Sequence, residues 1–208
     1  MKAPALGITL AVIWLAAAPA GAHRLDEYLQ ATRLSLDISR VGVEIDLTPG
    51  VSVAHTAFGW IDANHDGEIS DSEGQAYAGE VLRGLALAID GQPVPIKLTQ
   101  AAYPTMEEMS LGMGTIRVRA VGTLTAARAG HHALSFLNSH KPESSVYLVN
   151  ALVPDDPRVR IGGQRRDPAQ HGLRLDYDVT ADPSWSRAAL LTGLVCAAVV
   201  MMARKRST

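Results

Sequence analysis

Between two strongly apolar ends, hydrophobic positions in this chain mostly alternate with polar ones. Residues 28–38 (YLQATRLSLDI) set Leu34, Leu36 and Ile38 two apart, and residues 41–47 (VGVEIDL) do the same with Val41, Val43, Ile45 and Leu47. A period of two sends successive side chains to opposite faces of a strand, so the pair predicts an antiparallel hairpin with one buried face. Residues 84–89 and 93–98 flank Asp90-Gly91, a dipeptide suited to a hairpin turn. Further strands fit at 114–121, 131–137, 145–153 and 172–179. In the last, Leu173, Leu175, Tyr177 and Val179 would be buried and Asp176 and Asp178 solvated. Short strands punctuated by Gly, Pro, Asn and Asp predict a mainly β fold, an antiparallel β-sandwich. Residues 154–170 are polar and rich in Pro and Gly, and read as a long exposed connection.

Residues 51–83 break the alternation. Residues 51–61 can form a short helix with Val53, Ala57, Trp60 and Ile61 on one side, and 71–83 a second with Tyr77, Val81 and Leu82 inward. Between them lies Asp62-Ala63-Asn64-His65-Asp66-Gly67-Glu68-Ile69-Ser70-Asp71-Ser72-Glu73. A hard cation such as calcium takes six to eight oxygen ligands, and this spacing supplies them from one turn. Asp62, Asn64 and Asp66 would offer side-chain oxygens, Glu68 its backbone carbonyl, Ser70 a direct or water-mediated contact, and Glu73 a bidentate carboxylate. Gly67 permits the sharp turn. Ser70 and Glu73 also spell a capping box for the second helix, so Glu73 has two competing uses.

The twelve residues and their flanks resemble the EF-hand family, which implies calcium (Ca2+) as cofactor and a helical hand at 51–83 inserted among the strands. EF-hands come in pairs, whereas this sequence carries a single loop. A lone hand implies weak binding, in the ~0.1–1 mM range of extracellular modules.

The ends indicate a compartment. Residues 1–22 have a basic start, an apolar stretch and an Ala20-Gly21-Ala22 finish, the pattern of a cleaved signal peptide, with the mature chain beginning at His23. Residues 188–203 (AALLTGLVCAAVVMMA) carry no charge and precede a basic tail at 204–208. With Trp185 and Arg187 in the tether at 184–187, this predicts one transmembrane helix, its C-terminus cytoplasmic by the positive-inside rule. Residues 23–183 would then form an extracytoplasmic domain of a single-pass bacterial envelope protein, in the periplasm or exterior. The sole cysteine, Cys196, falls in the apolar run, so the domain folds without disulfides.

The chain holds 19 basic and 21 acidic residues. Setting aside Lys2, Arg187, Arg204, Lys205 and Arg206 leaves 14 basic against 21 acidic in residues 23–184, which argues against nucleic acid as a partner. Seven histidines supply an alternative metal chemistry. His23 would pair an α-amine with an imidazole, a set suited to copper or nickel, which His55, His131, His132, His140 or His171 could extend. On a strand His131 and His132 point to opposite faces and cannot share an ion. The sequence has neither a G-x-S-x-G elbow nor an H-E-x-x-H helix, and its residues predict no catalytic constellation.

The mature start, Ala22-His23-Arg24-Leu25-Asp26-Glu27-Tyr28-Leu29, is similar to the extracytoplasmic N-terminal region of bacterial hydrogenase- and urease-accessory-type permeases. That resemblance implies an exterior β-rich module working beside a transporter partner. The sequence therefore predicts a non-enzymatic, calcium-stabilised interaction module at the envelope.

Overall fold

A computed structural model describes residues 26–125 and 128–181. The signal peptide expected at 1–22, His23, the tether at 184–187, the apolar run at 188–203 and the tail at 204–208 lie outside the described residues. No helix among the described residues is long and apolar enough to cross a membrane.

The described strands form two five-stranded sheets. The first contains β1 (Tyr28–Leu36), β2 (Arg40–Pro49), β5 (Ile96–Ala102), β6 (Ile116–Thr123) and β8 (Ser145–Ala151), in the order β5-β6-β2-β1-β8. The second contains β3 (Leu85–Ile89), β4 (Gln92–Pro93), β7 (Gly130–Asn138), β9 (Val159–Arg166) and β10 (Gly172–Val179), in the order β4-β3-β7-β10-β9. Helices α1 (Ala54–Gly59), α2 (Asp71–Arg83) and α3 (Met106–Ser110) complete the described elements, with a single 3-10 turn at Val51–Val53 ahead of α1.

The β1–β2 hairpin pairs Leu36 with Val41 and Tyr28 with Pro49. Its inward positions bury Leu34, Leu36, Val41, Val43, Ile45 and Leu47, each 3% exposed or less. They pack against Leu87, Leu134, Phe136, Leu173, Leu175 and Tyr177 of the second sheet. Burying a side chain of this size stabilises the fold by about 1.5–3 kcal/mol, so these two inner faces account for the sandwich. On β10 the expected alternation holds: Asp176 meets Arg165 at 3.0 Å and Asp178 meets His131 at 3.1 Å on the outer face.

Four details depart from the sequence reading. The segment 93–98 is not one strand. Asp90 and Gly91 do turn a hairpin, both with positive φ (51° and 77°), but Pro93 and Pro95 have no N–H to donate, and the chain crosses to the other sheet as β5. The supposed connection 154–170 contains β9, an edge strand paired with β10. The sandwich is not wholly antiparallel, because β1 and β8 run parallel, Tyr28 beside Ser145 and Leu34 beside Ala151. Helix α3 was not expected.

Strand β8 is an edge, and outward backbone groups on it are covered by side chains. Arg166 Nε donates to the Val149 carbonyl at 2.6 Å, and Gln164 reaches both the amide and the carbonyl of Ala151 at 3.5 Å. Such cover blocks strand addition along an exposed edge. It also ties the sheets together at that corner.

The hand fills the crossing from β2 to β3, at one end of the sandwich. The β8–β9 turn and the last residues of β10 occupy the opposite end, where Thr180 N donates to the Arg158 carbonyl at 2.9 Å.

Candidate metal site

The loop between α1 and α2 is shaped by its own side chains. Asp62 Oδ1 accepts the amide of Asp66 at 3.2 Å, and Oδ2 that of Gly67 at 3.0 Å. Asn64 Oδ1 accepts the Asp66 amide at 3.0 Å, and Asp66 Oδ1 accepts the Glu68 amide at 2.9 Å. Short Asp and Asn side chains bond their own backbone two residues on, which is why these residue types curl a loop. Gly67 lies at φ +85°, and His65 at φ 60° takes the other left-handed position. The side chains of Asn64 and Asp66 meet at 2.9 Å. The donors at loop positions 1, 3 and 5 are therefore gathered on one side of the turn.

Asp62 is 4% exposed, the one carboxylate among the buried residues described. Its oxygens are met by amides, and no ion pair joins it to a basic side chain among the described residues. Burying a carboxylate is costly unless a cation or full hydrogen bonding offsets it.

Glu73 takes the second of its two possible roles. Oε2 accepts the Ser70 amide at 3.0 Å and its hydroxyl at 2.6 Å, while the Ser70 hydroxyl also receives the Glu73 amide at 3.4 Å, completing the capping box. Oε1 reaches back across the loop to the amides of Ala63 at 2.8 Å and Asn64 at 3.2 Å. A carboxylate offers about four lone-pair sites, and all four are used. These bonds, led by that from the Ser70 hydroxyl, pull the Glu73 pKa down to about 2.

The donor chemistry fits a hard divalent cation: carboxylate, amide and hydroxyl oxygens, with no imidazole or thiolate. The conformation fits in part. Asp62, Asn64 and Asp66 are gathered, Ser70 is at the helix start, and the Glu68 carboxylate is exposed and unneeded. Bidentate ligation by Glu73 requires release of Ala63 and Asn64. Among the described residues no three His, Cys, Asp or Glu side chains converge as a metal cluster, this loop included.

Sequence reasoning missed how firmly the two helices grip the sandwich. Gly74, one residue past the loop, lets the Tyr103 ring pack against α2, where a Cβ would come within 2.6 Å of a ring carbon. One turn beyond Glu73, the Tyr77 hydroxyl meets Tyr28 Oη at 2.8 Å and His140 Nε2 at 3.1 Å. The His140 carbonyl accepts Gln30 Nε2 at 2.7 Å and Tyr147 Oη at 2.6 Å, and Asn138 bonds both Gln30 and the His140 amide. Burial drives the His140 pKa down to about 4, so the ring is neutral. From the other helix, Trp60 packs edge-on against Tyr28 at 5.4 Å, beneath the Lys141 ammonium at 4.8 Å. Lys141 in turn pairs with Glu80 of α2 at 2.7 Å. Both helices of the hand thus clasp the residues between β7 and β8. The readable signal was Gln30 and Thr32, polar residues in phase with inward-facing Tyr28 and Leu34.

Among the described residues the remaining histidines do not assemble. His131 faces outward to Asp178, and His132 faces Asp90 at 2.7 Å from the other side of β7. His132 lines a cleft of about 440 Å³ with Asp90, Arg128 and Tyr177. Its Nε2 meets the Arg128 carbonyl at 2.8 Å, so neither ring nitrogen is open to act as a base. His171 packs on Tyr147 at 4.2 Å.

Fold and site together describe a two-sheet β-rich domain with a helix–loop–helix segment at one end. A scan against protein-family models, a search of curated proteins and a search of solved structures each return no match to this chain.

Proposed function

We propose that this chain is a calcium-binding module of the bacterial envelope, anchored by residues 188–203 with the sandwich outside the cytoplasm, acting through interaction and not catalysis. The observation that carries the reading is Asp62: a buried carboxylate with no basic partner described, gathered with Asn64 and Asp66 in an acidic turn. A divalent cation supplies the missing charge. Asp62, Asn64, Asp66 and Ser70 bind through side chains, Glu68 through its carbonyl, and Glu73 after giving up Ala63 and Asn64. Calcium then fixes the start of α2 and, through Tyr77 and Trp60, the hand's grip on the sandwich.

Thermal unfolding of residues 23–183 tests it. With a dissociation constant of ~0.1–1 mM, ~10 mM calcium stabilises the folded state by about 1.4–2.7 kcal/mol. Asp62→Ala abolishes that gain. No stabilisation by calcium, or the same gain in the variant, sinks the proposal. Copper and nickel run alongside separate it from a histidine-based accessory, whose site would depend on a free His23.

A further inference from the structure

We infer that the end of the sandwich opposite the hand, led by Leu152 and Val153, rests on the surface of a phospholipid bilayer. Val153 is 88% exposed, the highest value among the exposed large hydrophobic side chains described, and Leu152 beside it is 42% exposed. A protruding apolar pair costs solubility unless something covers it.

The pair stands on a rigid turn. Leu152 N donates to the Leu34 carbonyl at 2.8 Å, and Val159 N to the Asp156 carbonyl at 3.0 Å. The Asp156 carboxylate takes the Arg158 amide, Nε and guanidinium at 3.0, 2.9 and 2.7 Å. Pro154 and Pro157 carry no N–H, so the turn takes fewer unmet donors into an interface.

The length of chain beyond the described residues names the occupant. Thr180 is bonded to Arg158 of this same turn, and the apolar run begins seven residues after Ala181. Seven residues span at most ~25 Å at ~3.6 Å each. If 188–203 crosses a membrane, as proposed above, this end cannot stand far from the bilayer, and Leu152 and Val153 are exposed apolar side chains at it. The hand is then held away by the length of a strand: nine residues in β1, ~30 Å at ~3.3 Å per residue.

The test uses the full chain in phosphatidylcholine vesicles. In a Cys196→Ser background, Val153→Cys is spin-labelled and compared with Met113→Cys, a 70% exposed position following α3, which packs on α1 at the hand end. Flotation after an alkaline wash reports anchoring separately. The expected result is retention of both variants. At position 153 the label loses its collisions with a water-soluble nickel complex and keeps those with oxygen, while at 113 it collides with both. A label at 153 as open to nickel as at 113, in chains that float, overturns the inference and leaves the span standing. Exclusion of both reagents at 153 overturns it in favour of self-association. Chains that wash off the vesicles remove the tether argument and the inference with it.

Discussion

Lowering the pH from about 7 to about 5 puts the greatest strain on His140, the titratable group at the centre of the clasp. The residue is 4% exposed, its ring set edge-on to the Tyr77 ring at 5.5 Å. Burial lowers its pKa from 6.5 to about 4, with Glu80 pulling upward and Lys141 pushing further down. The unfolded chain therefore binds a proton that the folded chain refuses. Stability is full above the unfolded value of 6.5 and falls as the pH drops toward the folded value of about 4. Each unit of that gap is worth about 1.4 kcal/mol, so the loss over the whole gap is about 3 kcal/mol, roughly 2 of which have gone by about pH 5. His132 works in the opposite sense. Its hydrogen bond to Asp90 raises its pKa, so its contribution is present at low pH and fades as the pH rises. Urea unfolding of residues 23–183, followed by Trp60 at several pH values, should be done on the wild type and His140→Gln. The difference between their pH slopes isolates His140, since the His132 contribution is common to both. A wild-type slope unchanged in the variant, or an imidazole that titrates near 6.5 by NMR, refutes the reasoning.

Tyr77→Phe removes the hydroxyl between Tyr28 and His140; it should cost about 1–3 kcal/mol in urea unfolding while leaving calcium binding measurable. Gly67→Ala meets no side chain but must hold φ +85°, so it should cost about 1–2 kcal/mol and weaken calcium binding in a titration. The Glu73 contribution is present above its ordinary pKa of 4.5 and lost as the pH falls through about 2; carboxyl NMR should find it titrating well below 4.5, and Glu73→Gln should remove that acid transition.

What could be read from the sequence was whatever a short stretch determines by itself. The Asx turns around Asp62, Asn64 and Asp66 are local, and so is the Ser70–Glu73 box, so the turn and helix α2, at its expected bounds, were legible. The same locality left Glu73 undecided, because capping and ligation ask for the same residue. Strand β9 was missed for a physical reason. It is an edge strand on which only Val159 is buried, so Arg160, Gly162, Gly163, Arg165 and Arg166 present no alternation. Helix α3 had a signal that passed unread, the Thr105–Glu108 capping box. The parallel pairing of β1 with β8 joins segments more than a hundred residues apart, and nothing local specifies it. The clasp around His140 was only partly legible for a related reason: Gln30 stood out as a polar residue on the inward face of β1, but Tyr77, Asn138 and Tyr147 acquire meaning only when four elements meet.

Whether the Asp62–Glu73 loop binds calcium is decided by calorimetry on residues 23–183. The expected result is one calcium site of ~0.1–1 mM, lost when Asp62→Ala and Glu73→Ala are combined. No heat with calcium, alongside tight copper or nickel binding that needs a free His23, would contradict it.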